Sequence, residues 1–304
     1  MNDLSGQTIQ IKEVGPRDGL QNESNFVSTE DKIQFIELLS ETGLDYIEVS
    51  SFVHPKWIPQ LADAAEVFRK LKRKKDITYS ALIPNLVGLE KALEVQIDEA
   101  NIFMSASQGH NKANINKSIA ETFPVLEAVV KEAKANHLTV RGYVSTVIAC
   151  PYDGPVRPAE VLDVVDRLVD MGVDEISLGD TIGVGVPTEV EQLLELLLNK
   201  YPASLFAMHF HDTYGTAIAN IVKSLEMGIT TFDSSIGGLG GCPYAKGASG
   251  NVATEDVDYL LTQMGYHTGL DRTRLLESAF FIESKLGKQV KSRQAEIARN
   301  GGAK

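Results

Sequence analysis

Leu205-Phe206-Ala207-Met208-His209-Phe210-His211, followed by the amphipathic residues 216–227, then Gly228, then Thr231-Phe232-Asp233-Ser234-Ser235-Ile236, is the stretch that decides the fold. The first and last segments are β-rich and of strand length, and the middle one carries apolar residues at helical spacing, as in a strand–helix–strand unit. The same alternation runs along the chain. Strands are expected over residues 8–14, 46–51, 78–83, 100–105, 139–146, 175–179, 205–211 and 231–236. Helices are expected over 29–41, 158–171, 187–200 and 216–227. Ser28 precedes the first of these as a cap, Pro158 and Pro187 open two others, and Gly43, Gly172 and Gly228 stop three of them.

Eight strand–helix pairs without a linker predict an α/β fold, a (β/α)8 TIM barrel in one catalytic domain spanning 1–304. The barrel covers about residues 8–265 and a helical extension about 270–304. An open doubly wound sheet is the alternative. The extension, starting with a helix over 272–286, would cap the barrel or frame a subunit contact.

The 304 residues are 43% hydrophobic and 23% charged, an ordinary globular composition that excludes a disordered tail or a small stapled scaffold. Twenty-nine basic against forty-one acidic residues give a net charge of -12, which argues against nucleic acid and anionic membranes as partners. The basic run at 71–75 is a local exception, expected to close a helix. Two cysteines indicate a reducing compartment, and neither a leader nor a membrane span is expected, so the predicted location is the cytoplasm.

In a barrel the active face lies at the C-terminal ends of the strands. Arg17 and Asp18 follow the first strand, Glu48 lies in the second, Asp180 ends the sixth, and His209 and His211 end the seventh. Residues i and i+2 of a strand point the same way, so both imidazoles can reach one ion, with Asp18 adding a hard oxygen. Asn251 either supplies a fourth ligand through its carbonyl or is a turn residue. Two nitrogens and two oxygens suit Mg²⁺ or Mn²⁺, with zinc still possible. The glycine-rich Gly237-Gly238-Leu239-Gly240-Gly241-Cys242 reads as a movable loop carrying a thiol. Cys150, in Cys150-Pro151-Tyr152, is the rival thiol.

Longer stretches carry a resemblance. They are Val14-Gly15-Pro16-Arg17-Asp18-Gly19-Leu20-Gln21-Asn22-Glu23, Arg141-Gly142-Tyr143-Val144-Ser145, Ile176-Ser177-Leu178-Gly179-Asp180-Thr181-Ile182-Gly183, His211-Asp212-Thr213-Tyr214-Gly215, and the glycine loop through Ala253-Thr254-Glu255-Asp256. Over nearly its whole length the chain resembles the 3-hydroxy-3-methylglutaryl-CoA lyases, in the metal-dependent barrel family that also holds isopropylmalate and homocitrate synthases. Leu20 resembles the lyases, since those synthases usually carry an acid there. Ile236-Gly237 departs from the Val-Ala common in the lyase signature.

The resemblance implies cleavage of (S)-3-hydroxy-3-methylglutaryl-CoA to acetoacetate and acetyl-CoA, a step of leucine catabolism and ketone-body formation. It implies a divalent cation, Mg²⁺ or Mn²⁺, on Asp18, His209, His211 and Asn251. Arg17 becomes a substrate and transition-state contact, and Cys242 the catalytic thiol. Glu48, Asp180 and Glu255 match acidic site residues of the family, with Asp180 or His209 as the base that takes the hydroxyl proton. A homodimer acting on a small-molecule acyl-CoA is implied too. A condensing transferase and a non-catalytic metal-binding protein are the rival readings.

Overall fold

The computed structural model describes residues 6–241 and 250–302. Its centre is a closed barrel of eight parallel strands: β1 (Gln10–Glu13), β2 (Tyr46–Ser51), β3 (Thr78–Leu82), β4 (Glu99–Ser105), β5 (Thr139–Ser145), β6 (Glu175–Asp180), β7 (Phe206–Phe210) and β8 (Thr231–Ser234). Each strand pairs with its sequence neighbours, and β8 returns to β1 in the register Gln10↔Thr231 to Glu13↔Ser234. That closure excludes the open sheet. All eight expected strands are present, with ends moved by two residues at most.

Helices lie outside, among them α1 (Thr29–Leu39), α2 (Ala64–Lys70), α3 (Leu86–Glu94), α4 (Gln108–Ile115), α5 (Ile119–Ala135), α6 (Pro158–Asp170), α7 (Pro187–Leu198), α8 (Ala217–Glu226), α9 (Thr254–Gln263), α10 (Arg272–Leu286) and α11 (Arg293–Arg299). The local signals act as expected. Ser28 accepts the Asp31 amide at 3.1 Å, Pro158 and Pro187 stand at the first turns of α6 and α7, and Gly43, Gly172 and Gly228 take φ of +95°, +86° and +92°. The basic run at 71–75 lies beyond α2, and Arg73 donates to the Phe68 carbonyl within that helix's last turns at 3.3 Å. The cation still opposes the helix dipole, but it does so from the following loop.

Alternation splits every strand between two environments. One face, with residues such as Ile11, Ile47, Ala100, Val140, Ile176, Met208 and Phe232, is buried in an apolar core running from Ile9 to Ala295. That core takes in Leu275, Ile282, Leu286 and Val290 of the extension. Accordingly α10 packs against both α1 and α9, with Lys285 bridging to Asp31 at 2.7 Å. Among the described residues no helix is long and apolar enough to cross a membrane.

Candidate active site

The opposite strand faces fill the barrel with polar groups. Near its N-terminal end Lys12 and Arg141 both meet Glu175, at 2.8 and 2.5 Å, and Tyr46 donates to Glu99 at 2.9 Å. Higher up, Asn101 donates to Glu48 at 2.8 Å and to Ser80 at 3.1 Å, and Tyr143 donates to Glu48 at 3.2 Å. Arg141 holds Asp233 by two bonds of 2.6 and 3.2 Å. A buried charge is tolerated when it is paired and hydrogen-bonded, and nearly every group here is both.

This column ends at the candidate site. Directly after β1 the chain makes one wide turn, Gly15–Gly19, in which the amides of Arg17, Asp18 and Gly19 all converge on the Val14 carbonyl at 3.2, 2.7 and 3.2 Å. The turn aims Arg17 and Asp18 over the barrel mouth. Gly19 has to be glycine for packing: a Cβ there would lie 2.7 Å from Ser235 Oγ and 2.9 Å from Leu239 Cβ.

Arg17 is buried and donates from Nε to Glu48 at 2.6 Å and from Nη1 to Asp18 at 2.6 Å. Burial opposes its charge, but Glu48 and Asp18 outweigh that and hold its pKa above the ordinary value. Nη2 keeps its donors for a ligand, since no protein acceptor takes them among the described residues. Glu48 feels burial most strongly, which raises its pKa against the pull of Arg17.

Asp18, His209 and His211 present ligand atoms within 4.8 Å of one another. Burial raises the Asp18 pKa, but Arg17 and the two histidines bring it down to about 2, so a carboxylate is present at any working pH. Burial and the neighbouring His209 lower His211 to about 4, leaving it neutral, as a metal ligand must be. His211 Nδ1 is buried and has no hydrogen-bond partner among the described residues. An anionic oxygen, two imidazoles and an orphaned buried nitrogen fit a divalent cation.

Asn251 bridges to the cluster by pairing with His211 and donating from Nδ2 to Asp18 at 2.7 Å and to the Leu239 carbonyl at 3.1 Å. Here its amide nitrogen, not its oxygen, faces Asp18.

The other acids stand differently. Asp180 has the outward parity of Ile176 and Leu178, and its oxygens accept the Val184 and Gly185 amides at 3.3 and 2.8 Å. Burial raises it to about 6, while the cluster's charges act on one another. Glu255, at the start of α9, accepts the Gly237 amide with both oxygens at 3.1 and 3.0 Å and is raised to about 7 by burial. It therefore anchors the foot of the glycine loop. Cys242 lies outside the described residues. Cys150 is buried, and its sulfur accepts the Tyr152 and Asp153 amides at 3.3 Å each, a turn-closing task.

Arg141, Asn101, Tyr143 and Asp233 escaped the sequence reading as site-supporting groups. The available signal is a charged residue directly after a buried apolar one inside a strand, as in Val140-Arg141 and Phe232-Asp233.

Known proteins are similar to this chain over nearly its whole length. The hydroxymethylglutaryl-CoA lyase YngG of Bacillus subtilis is 54% identical over 289 residues, 95% of this chain and 97% of that one. A crystal structure of the Bacillus subtilis HMG-CoA lyase superposes with a TM-score of 0.96 at 53% identity, covering 97% of this chain and 99% of that one. An HMG-CoA lyase from Acinetobacter baumannii, solved in complex with coenzyme A and 3-methylmalate, gives a TM-score of 0.93 at 37% identity over 98% and 97% of the two chains. The pattern that defines the HMGL-like family matches residues 8–282, from the first barrel strand into α10, and the chain belongs to that family.

Proposed function

We infer that this chain is a carbon–carbon lyase that cleaves 3-hydroxy-3-methylglutaryl-CoA into acetoacetate and acetyl-CoA. The observation that carries the reading is the Asp18–His209–His211 cluster beside a buried Arg17 at the mouth of the barrel, in a chain 54% identical to such a lyase. The (S) enantiomer is the proposed substrate. We assign Asp18, His209, His211 and Asn251 as the residues that would hold Mg²⁺ or Mn²⁺, the Asn251 amide turning over to offer its carbonyl oxygen in place of the Nδ2 bond to Asp18. A divalent cation bound there supplies Lewis acidity toward substrate oxygens and lowers the pKa of a hydroxyl.

The chain's own residues supply the rest. In the retro-Claisen step the tertiary hydroxyl loses its proton, the O–H electron pair becomes the new carbonyl, and the C2–C3 pair passes into the thioester as an enolate. Asp180 is the assigned proton acceptor: at about 6 it is mostly ionised at neutral pH, and to act it has to leave the Val184 and Gly185 amides and turn from the outward face of its strand toward the mouth. Arg17, pinned by Glu48 and Asp18, directs Nη2 at the charge that develops on the thioester oxygen. Glu48 orients that guanidinium, and Glu255 sets the start of the glycine loop. Cys242 is assigned as the acid that protonates the departing carbon, a thiol of ordinary pKa about 8.5 being a competent donor at neutral pH. A cytoplasmic homodimer in one catalytic domain, acting in leucine catabolism and ketone-body formation, completes the proposal.

The test is direct. Purified protein treated with chelator should give no acetoacetate from the acyl-CoA, and Mg²⁺ or Mn²⁺ should restore it. Unchanged turnover after metal removal would sink the metal assignment, and no acetoacetate under any metal would sink the activity.

A further inference from the structure

His209 and His211 look equivalent in sequence, two residues apart at the end of one strand, yet among the described residues only His209 has a partner at Nδ1. His209 Nδ1 lies 3.2 Å from Asp233 Oδ2, and the two residues are direct neighbours in the β7–β8 register. His211 Nδ1 has none.

Asp233 is itself fixed. Arg141 Nη2 donates to Oδ1 at 2.6 Å and Nη1 to Oδ2 at 3.2 Å, while Ser177 donates to Oδ2 at 2.7 Å. Arg141 is pinned in turn by Glu175, which also pairs with Lys12. A carboxylate paired with a guanidinium accepts and does not donate, so the proton at the shared contact belongs to the imidazole.

We propose that Asp233, anchored by Arg141, is the positioning residue for His209, fixing its Nδ1–H tautomer and ring plane so that Nε2 is the nitrogen offered to the cation. The proposal rests on the reading of Asp18, His209 and His211 as metal ligands. It gives a task to the Arg141-Gly142-Tyr143 stretch, which the chemistry at the mouth leaves unused: Arg141 holds the carboxylate that holds the ligand. Outer partners of this kind typically contribute 10–100-fold to metal affinity.

The variant Asp233→Asn separates the possibilities. Its oxygen is required at Arg141 Nη2, which turns its NH2 toward His209 Nδ1 and demands the opposite tautomer, with the proton on Nε2. Two-dimensional ¹H–¹⁵N spectra of imidazole-labelled, metal-free protein should show His209 as the Nδ1–H form in the wild type and as the Nε2–H form in Asp233→Asn. Titration with Mn²⁺, followed by electron paramagnetic resonance, should show a Kd about 10–100-fold higher in the variant. A wild-type Nε2–H tautomer overturns the proposal even if the variant fails to fold. So does a folded variant that has lost thermal stability but keeps the wild-type tautomer and Mn²⁺ affinity, because Asp233 would then serve only the barrel. Failure of the wild type to bind Mn²⁺ overturns the metal reading itself, a result independent of the tautomer.

Discussion

The two faces of each barrel strand live under different rules. Outside the barrel, Ile176, Leu178, Met208, Phe210 and Phe232 are interchangeable in kind, because they need only be apolar and fill space. Inside, Ser177, His209, Asp233 and Arg141 depend on one another by name: change one and a buried partner is left unsatisfied. Barrels of this class commonly fill their interior with branched apolar side chains. Here that space holds a column of paired charges reaching from Lys12 to the Asp18–His209–His211 cluster. The outer face specifies the fold and the inner face the chemistry, on the same strands and one residue apart.

The sharpest separation of chemistry from packing involves the two cysteines. Cys242→Ala should keep the fold and metal content while losing about 10²–10⁴ in kcat, as for a positioned proton donor. Cys150→Ala removes only a turn-closing sulfur, so its kcat should stay near the wild-type value. Steady-state kinetics on both variants decides it, and a crippled Cys150→Ala with a healthy Cys242→Ala would reverse the assignment.

Next in size is Arg17→Gln. If Nη2 meets charge that appears only as the enolate forms, kcat should fall by about 10²–10³ while directly measured substrate Kd changes little. Arg17→Lys should recover little, because an ammonium cannot bond Glu48 and Asp18 and still present a further planar donor. A large rise in Kd at normal kcat would show Arg17 to be an anchor alone.

The same division explains what was legible in the sequence. Alternating apolar segments report the outer face, so all eight strands and the barrel could be read, and Gly43, Gly172 and Gly228 marked helix ends through positive φ. At the mouth, Arg17, Asp18, His209 and His211 stood out because they are polar at strand ends, where the structure gathers them. Pairing across the barrel was not legible. Arg141 meets Asp233 over a separation of 92 residues, and Tyr143 meets Glu48 over 95, and neither bond leaves a local pattern. Nor could spacing reveal that Asp180 and Glu255 turn their oxygens to backbone amides of nearby loops.

Adjacent residues on β6 give a smaller test of the two faces. Leu178→Ala opens a cavity in the outer core and should cost about 2–5 kcal/mol of stability, with kcat per folded molecule unchanged. Ser177→Ala removes one hydroxyl bond to Asp233 inside the barrel and should cost only about 0.5–1.5 kcal/mol. Urea unfolding of both variants measures this. Equal losses would mean that the inner and outer faces are not distinct in how they bear stability.

Glu13, like Asp180, is an acid on the wrong side of this division, and its pH behaviour sharpens the comparison. It ends β1 with the outward parity of Ile11, fully buried, and accepts the Gly15 amide at 2.7 Å, the Ile236 amide at 2.9 Å and the Thr254 hydroxyl at 2.6 Å. Among the described residues no cation pairs with it, so burial pushes its pKa up to about 7 in spite of those bonds, whereas Glu175 and Asp233 inside the barrel are held down by Arg141, with Lys12 also acting on Glu175. A carboxyl with a raised folded pKa binds its proton more tightly in the native state than in the unfolded chain. Its contribution to stability is therefore complete below about 4.5 and is lost as the pH rises through about 7. One pK unit corresponds to about 1.4 kcal/mol, which sets an upper limit of roughly 3.5 kcal/mol on the whole change. Glu13→Gln cannot titrate but retains an oxygen for the Gly15 and Ile236 amides. The wild type should accordingly lose stability relative to the variant between about pH 5 and 7.5, and the difference should level off above that. Urea midpoints for the two proteins across this range, converted to free energies, give the result. Parallel pH profiles would show that Glu13 ionises freely in the fold, and that a buried acid on the outer face needs no cation to stay charged.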